Sequence, residues 1–112
     1  MKQYTTPEQT AKLIELGFEK PKSIIDVWAH ETDIDMEYEY EFAYSIGELI
    51  EMLPDVVESE DGEYATLQMY FDLFNWVIEY TGVEKTEYVT SAIELIDALY
   101  DMIVKLKEEG VI

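Results

Sequence analysis

The most regular hydrophobic pattern in the chain is an alternation of acidic and apolar residues that begins at Asp33. The acidic positions are Asp33, Asp35, Glu37, Glu39 and Glu41, and the apolar positions are Ile34, Met36, Tyr38, Tyr40 and Phe42. A period of two residues is typical of a strand that is buried on one side. The pattern therefore predicts a strand over 33–42 that turns its apolar side into the core and a column of five carboxylates to the solvent.

Three capping boxes predict where three helices begin. Each box has Ser or Thr at the N-cap and Glu or Gln three residues later, so that each side chain binds a backbone amide of the other residue. The three boxes are Thr6 with Gln9, Ser45 with Glu48, and Ser91 with Glu94. Gly17, Pro54 and Gly110 then predict where these helices end.

The helix predicted between Ser91 and Gly110 has an unusually wide apolar arc. Its main stripe consists of Ala92, Leu95, Ile96, Leu99, Met102, Ile103 and Leu106. Ile93, Tyr100 and Val104 extend this stripe beyond one side of the helix. Such a helix must be covered on more than one side, either by the rest of the chain or by a second subunit. Those three residues are therefore the candidate surface of a homodimer.

Three further segments rich in β-branched and aromatic residues predict strands. They lie at 23–29, 65–71 and 75–80. A helix across 66–80 is the alternative for the last two segments, but their tyrosines and the run Trp76-Val77-Ile78 favour a hairpin with a loop at 72–74. Together the elements predict a single α+β domain, in which an antiparallel sheet of three or four strands packs with three helices and the C-terminal helix is the longest.

The charge is strongly asymmetric. The 112 residues include 26 acidic residues and 7 lysines, no arginine, and a net charge of −19. No lysine occurs between Lys22 and Lys85, a span that carries 17 of the acidic residues. The negative electrostatic field of such a chain repels nucleic acid and anionic membranes. The absence of arginine also removes the guanidinium groups that commonly bind phosphate with two hydrogen bonds. The negative charge attracts basic proteins and cations. The alternative explanation for this charge is that it keeps the protein soluble.

The composition also bears on the cellular location. The chain has no cysteine, its first residues form no apolar signal region, and no apolar run is long enough to span a bilayer. These properties predict a soluble cytoplasmic protein that binds no membrane.

The sequence contains few residues at spacings typical of a catalytic or metal-binding site. The single histidine, His30, has no serine or cysteine nucleophile at a meaningful spacing. The segment that starts at Asp33 begins like a calcium loop, but Tyr38 occupies the position of the required glycine and Tyr44 that of the required glutamate. The glycines are isolated, so no phosphate-binding loop is present. We therefore expect no enzyme activity, no cofactor and no metal site.

Three helical stretches resemble a group of small proteins, without a known activity, that phages and mobile elements of intestinal bacteria encode. The stretches are TPEQTAKLIELGF at 6–18, YSIGELIEMLP at 44–54 and ELIDALYDMIVKLKEEG at 94–110. They consist of capping boxes and apolar stripes, so the resemblance implies a fold and an origin in a mobile element but no catalytic residue.

The acidic strand leads to the sharpest functional hypothesis. Alternate residues of a strand are about 6.6–6.8 Å apart, roughly twice the 3.4 Å rise per nucleotide of one DNA strand. An acidic face made of Asp33, Asp35, Glu37, Glu39, Glu41 and Glu60 could therefore contact a basic protein partner, and could mimic nucleic acid in doing so. The alternatives are an edge strand whose charge prevents aggregation and an assembly module that forms homodimers through its C-terminal helix.

Overall fold

The computed structural model describes residues 1–59 and 61–112, and within them it shows an α+β fold. The elements are α1 Pro7–Glu15, β1 Ser23–Glu31, β2 Met36–Ala43, α2 Ile46–Met52, β3 Val56–Glu58, β4 Tyr64–Asp72, β5 Asn75–Thr81, β6 Thr86–Ala92 and α3 Leu95–Glu108. The strands form two antiparallel sheets, one of two strands and one with the order β3-β4-β5-β6. The predicted fold class is thus confirmed, although the strands divide into two sheets.

The core lies where α3 packs on the four-stranded sheet and on α2. Leu99, Met102 and Ile103 of α3 are fully buried, as are Ile78 and Tyr80 of β5. The Tyr80 hydroxyl donates a hydrogen bond to the carbonyl of Pro54, 2.7 Å away. Burial, with a smaller effect of the nearby Asp55 carboxylate, raises the pKa of Tyr80 to about 12. Much of the apolar arc of α3 is therefore covered by the chain itself.

The first two helices begin as predicted. The capping boxes of Thr6 with Gln9 and of Ser45 with Glu48 are both formed, each with its two reciprocal hydrogen bonds. Gly17 follows α1 with a φ of 100°, a conformation that a side chain would strain.

The predicted start of the last helix is wrong. Ser91 lies in β6, where it pairs with Val77 of β5, and α3 begins only after Glu94. The Glu94 carboxylate accepts a hydrogen bond from the backbone amide of Lys2 at 2.9 Å instead of closing a box. The backbone of Ser91 is part of the pairing between β5 and β6, so it is not available as the start of a helix. A strand pairing between distant residues thus overrides the local capping motif.

The segment over 64–81 forms the predicted hairpin and not the alternative helix. Its loop is tighter than expected, because Asp72 pairs with Asn75 and only Leu73 and Phe74 lie between the strands. Two strands of the same sheet were not predicted: β3, which lies in the stretch that looks like a polar connection, and β6. Both have mixed polar and apolar residues and depend on their pairing with neighbouring strands.

The two-stranded sheet, which we call the arm (residues 23–43), stands apart from the core. The prediction that its apolar side is buried is wrong: Met36, Tyr38, Tyr40 and Phe42 are 43–56% exposed. Helix α3 already fills the core side of the larger sheet, and none of the described residues forms a layer over the arm. The arm accounts in part for the elongated shape of the molecule, 66 × 31 × 18 Å.

Candidate functional site

The arm has two chemically different faces. Residues paired across antiparallel strands share a face, and on one side the pairs are Asp26 with Glu41, Trp28 with Glu39, and His30 with Glu37. We call this side the acidic face. The opposite side, the apolar face, consists of Ile24, Val27, Ala29, Met36, Tyr38, Tyr40 and Phe42, with the single charged residue Glu31 beside Met36 at the tip of the arm. The rings of Tyr40 and Phe42 lie 6.3 Å apart on it.

The acidic face is shorter than the sequence predicted. Glu37, Glu39 and Glu41 lie on it as expected, but Asp33 and Asp35 lie in the turn that precedes β2. The carbonyl of Asp35 accepts a hydrogen bond from the backbone amide of Thr32 at 2.9 Å, which closes this turn and ends the alternation of faces.

Two other acidic residues change the expected set. Asp26 of β1, which the single-strand pattern could not reveal, joins the acidic face because it pairs with Glu41. Glu60, the remaining residue predicted for this face, lies outside the described residues. The face is thus built by two strands and not by one.

The carboxylates of the arm have no lysine to neutralise them. The arm carries seven acidic residues and no lysine, and its one close contact between a histidine or lysine and a carboxylate, in the described part of the chain, joins His30 Nε2 to Glu39 Oε2 at 3.2 Å. The lysine ion pairs lie elsewhere, between Lys2 and Asp97 at 2.7 Å and from Lys85 to two carboxylates at 3.6 Å. The acidic face is therefore available to cationic groups from outside the chain.

Glu48 of α2 fixes the root of the arm. Its carboxylate accepts hydrogen bonds from the backbone amide of Lys22 at 3.0 Å and from the Ser23 hydroxyl. It also accepts one from the amide of Ser45 at 3.2 Å, which completes the capping box. Burial alone would raise the pKa of Glu48, but these hydrogen bonds outweigh burial and hold the pKa below its ordinary value.

A cavity lies at the end of the apolar face near α1. It has a volume of about 270 Å³ and is lined by Thr10, Ile14, Lys20, Pro21 and Phe42. Phe42 belongs to both the cavity and the apolar face, so the exposed aromatic surface of the arm continues into an apolar recess.

The residues predicted as a dimer surface occupy different environments. Ile93 precedes α3 and is exposed, whereas Tyr100 and Val104 are half-buried and pack against the core. Homodimerisation through them stays a prediction, which sedimentation over a range of concentrations would check.

No protein-family model, curated protein or solved structure matches the chain. Among the described residues, no helix is long and apolar enough to cross a membrane. Nor do three or more His, Asp or Glu side chains in that part of the chain come together in a way that could hold a metal ion. The function has to be inferred from the geometry of the arm.

Proposed function

We propose that the protein is a non-enzymatic interaction protein that contacts a basic protein partner through the acidic face of its arm. The observation that carries this proposal is the row of Glu37, Glu39 and Glu41 on a ribbon that projects beyond the core and carries no lysine. Like charges on one strand repel each other, so a cationic partner relieves an unfavourable arrangement. The net charge of −19 also accelerates encounters with such a partner.

A more specific form of the proposal is mimicry of a nucleic-acid backbone. The carboxylates of the three glutamates span about 13 Å of strand, which corresponds to about four nucleotide rises of one DNA strand, or about five successive phosphates. A groove that binds phosphates with lysine and arginine side chains could accept this row. In that case duplex DNA and the protein would compete for the same partner.

The test compares two variants with the same change in charge. The triple variant E37Q/E39Q/E41Q removes the acidic row, and the control E15Q/E84Q/E108Q removes three exposed carboxylates outside the arm. Basic proteins captured at low salt by the wild type and the control should be lost from the arm variant. They should also be released from the wild type as ionic strength rises, because exposed charges are screened beyond about 8 Å at physiological salt.

Two outcomes would argue against the proposal. Equal capture by both variants would mean that net charge alone determines binding, and capture unaffected by salt would mean that the contact is not electrostatic. Addition of duplex DNA separates the two forms of the proposal, since displacement supports mimicry and simultaneous binding excludes it.

A further inference from the structure

The outer edge of β2 is an open strand edge. In the described part of the chain β2 pairs with β1 alone, over eight residues from Met36 to Ala43. Every second residue of an edge strand directs its amide and carbonyl away from the partner strand. Such groups are a template for another strand.

Hydrogen bonds at both ends of β2 show which residues face outward. The Met36 amide donates to the side chain of Asp35, 2.8 Å away, and so points away from β1. Eight positions later, the Tyr44 amide donates to the Thr5 hydroxyl and the Tyr44 carbonyl accepts from the Thr5 amide, both at 3.0 Å. Because the direction of the backbone groups alternates along a strand, the amides and carbonyls of Tyr38, Tyr40 and Phe42 also point away from β1. The N-terminal segment thus lies along this edge at its root and leaves 38–42 open.

The outer edge of β1 is less suited to strand addition. A bulge between Ile24 and Asp26 interrupts its register with β2, and the Asp26 side chain accepts a hydrogen bond from the Val27 amide at 2.8 Å. Bulges and side chains that cap backbone amides protect an edge from pairing. Of the two edges of the arm, β2 has the more regular one.

A second copy of this chain does not fit the β2 edge. If two β2 strands paired edge to edge with their acidic faces on one side, glutamates would lie beside glutamates, an arrangement that destabilises a sheet. A strand with lysine or arginine at alternate positions would instead pair with Glu37, Glu39 and Glu41. Its intervening residues would extend the apolar face beside Tyr38 and Tyr40, and one of them could enter the cavity beside Phe42.

We propose that the edge of β2 binds an extended segment of a partner protein, in which lysine or arginine alternates with large apolar residues, as a third strand of the arm. The proposal rests on the proposed function, because it specifies which part of a basic partner is recognised. Main-chain hydrogen bonds would contribute affinity, and the alternation would determine specificity. A third strand also stabilises a ribbon that is marginal with two strands.

The test uses peptides of about ten residues, long enough to pair with all of β2. One peptide alternates lysine and valine, and its control has the same composition with the lysines and valines in separate blocks. The alternating peptide should bind about tenfold more tightly, because only it matches both faces at once. A version with N-methyl groups on the amides that meet β2 should lose this advantage without any change to the protein.

Amide hydrogen exchange measured by NMR locates the contact. The amides of Tyr38, Tyr40 and Phe42 should exchange rapidly in the free protein and become protected by the alternating peptide. Those of Glu37, Glu39 and Glu41 face β1 and should change little.

The outcomes separate this inference from the proposed function. Equal affinity for both peptides without new protection would overturn strand addition and leave an arm that attracts basic partners by charge alone. Protection that persists undiminished in E37Q/E39Q/E41Q would contradict the matching of basic residues to the acidic row, and with it the proposed function.

Discussion

Glu48 shows how much of the architecture depends on a single carboxylate. Its carboxylate completes the capping box of α2 through the Ser45 amide, and it also holds the start of β1 through the Ser23 hydroxyl and the amide of the preceding Lys22. Asp97 has a similar role at the start of α3, where it accepts hydrogen bonds from Lys2 Nζ at 2.7 Å and Gln9 Nε2 at 2.8 Å. Burial would raise the pKa of Asp97, but both hydrogen bonds outweigh burial and lower it. Each carboxylate joins segments that are distant in sequence.

Glu48→Gln should lower the free energy of unfolding at pH 7 by about 1 kcal/mol, the usual loss when a helix cap is weakened. Because the pKa of Glu48 is lowered in the folded state, its charge stabilises the fold above the unfolded pKa, and this contribution disappears as pH falls through the folded pKa. Urea denaturation at pH 7 and at about pH 3, below the ordinary pKa of glutamate, should show the difference from wild type shrinking in acid. Glu51→Gln, an exposed position on the same helix, is the control, and an equal loss at both pH values would contradict the assignment.

Among the described residues, Leu73 has the least favourable backbone conformation for its residue type. Its φ is 54° in the two-residue loop of the β4–β5 hairpin, and its side chain is 81% exposed. A left-handed conformation costs a residue with a side chain roughly 1–2 kcal/mol, and glycine avoids this cost but loses some entropy on folding. Leu73→Gly should therefore raise the free energy of unfolding by about 0.5 kcal/mol, measured by urea denaturation. Leu73→Ala keeps the strain and should give no gain; equal effects of both variants would refute the explanation.

The helices and strands differ in how well the sequence predicts them. The boxes at Thr6 and Ser45 are local, so their helices begin where the sequence indicates. The box at Ser91 has the same form but competes with a strand pairing that no local motif reveals. The alternation from Asp33 predicts a strand whose sides differ, but not what covers its apolar side. The acidic face was partly predictable for the same reason: Glu37 follows from periodicity, whereas Asp26 follows only from pairing.

The arm should be dispensable for folding. Ile24 and Phe42 form a pair at the root of the arm, and an Asn-Gly turn can join them directly. This variant removes both faces of the arm but keeps the hydrogen bond from the Ser23 hydroxyl to Glu48. The buried core contains no residue between these two positions, so the melting temperature should change by only about 5 °C, the shift expected for about 1 kcal/mol in a domain of this size. Circular dichroism checks the melting, and basic partners should no longer bind. Loss of cooperative unfolding would show that the arm belongs to the core.

The molecule as a unit is elongated and unevenly charged. Its radius of gyration is 17.3 Å, whereas a compact chain of this length has one of about 13 Å. Small-angle X-ray scattering of the monomer should therefore give a value close to 17.3 Å after allowance for side chains and hydration. A value near 13 Å would mean that the arm folds back onto the body and hides its apolar face.

The hydrogen bonds of Glu48 connect the arm to the body of the molecule. The far end of β1 lies about 30 Å of strand away from Glu48, whereas α2, which carries Glu48, packs on α3. A ligand that binds only the folded arm should consequently raise the melting temperature of the body by mass action. A ligand that binds the arm equally well in the folded and in the unfolded chain would leave that temperature unchanged.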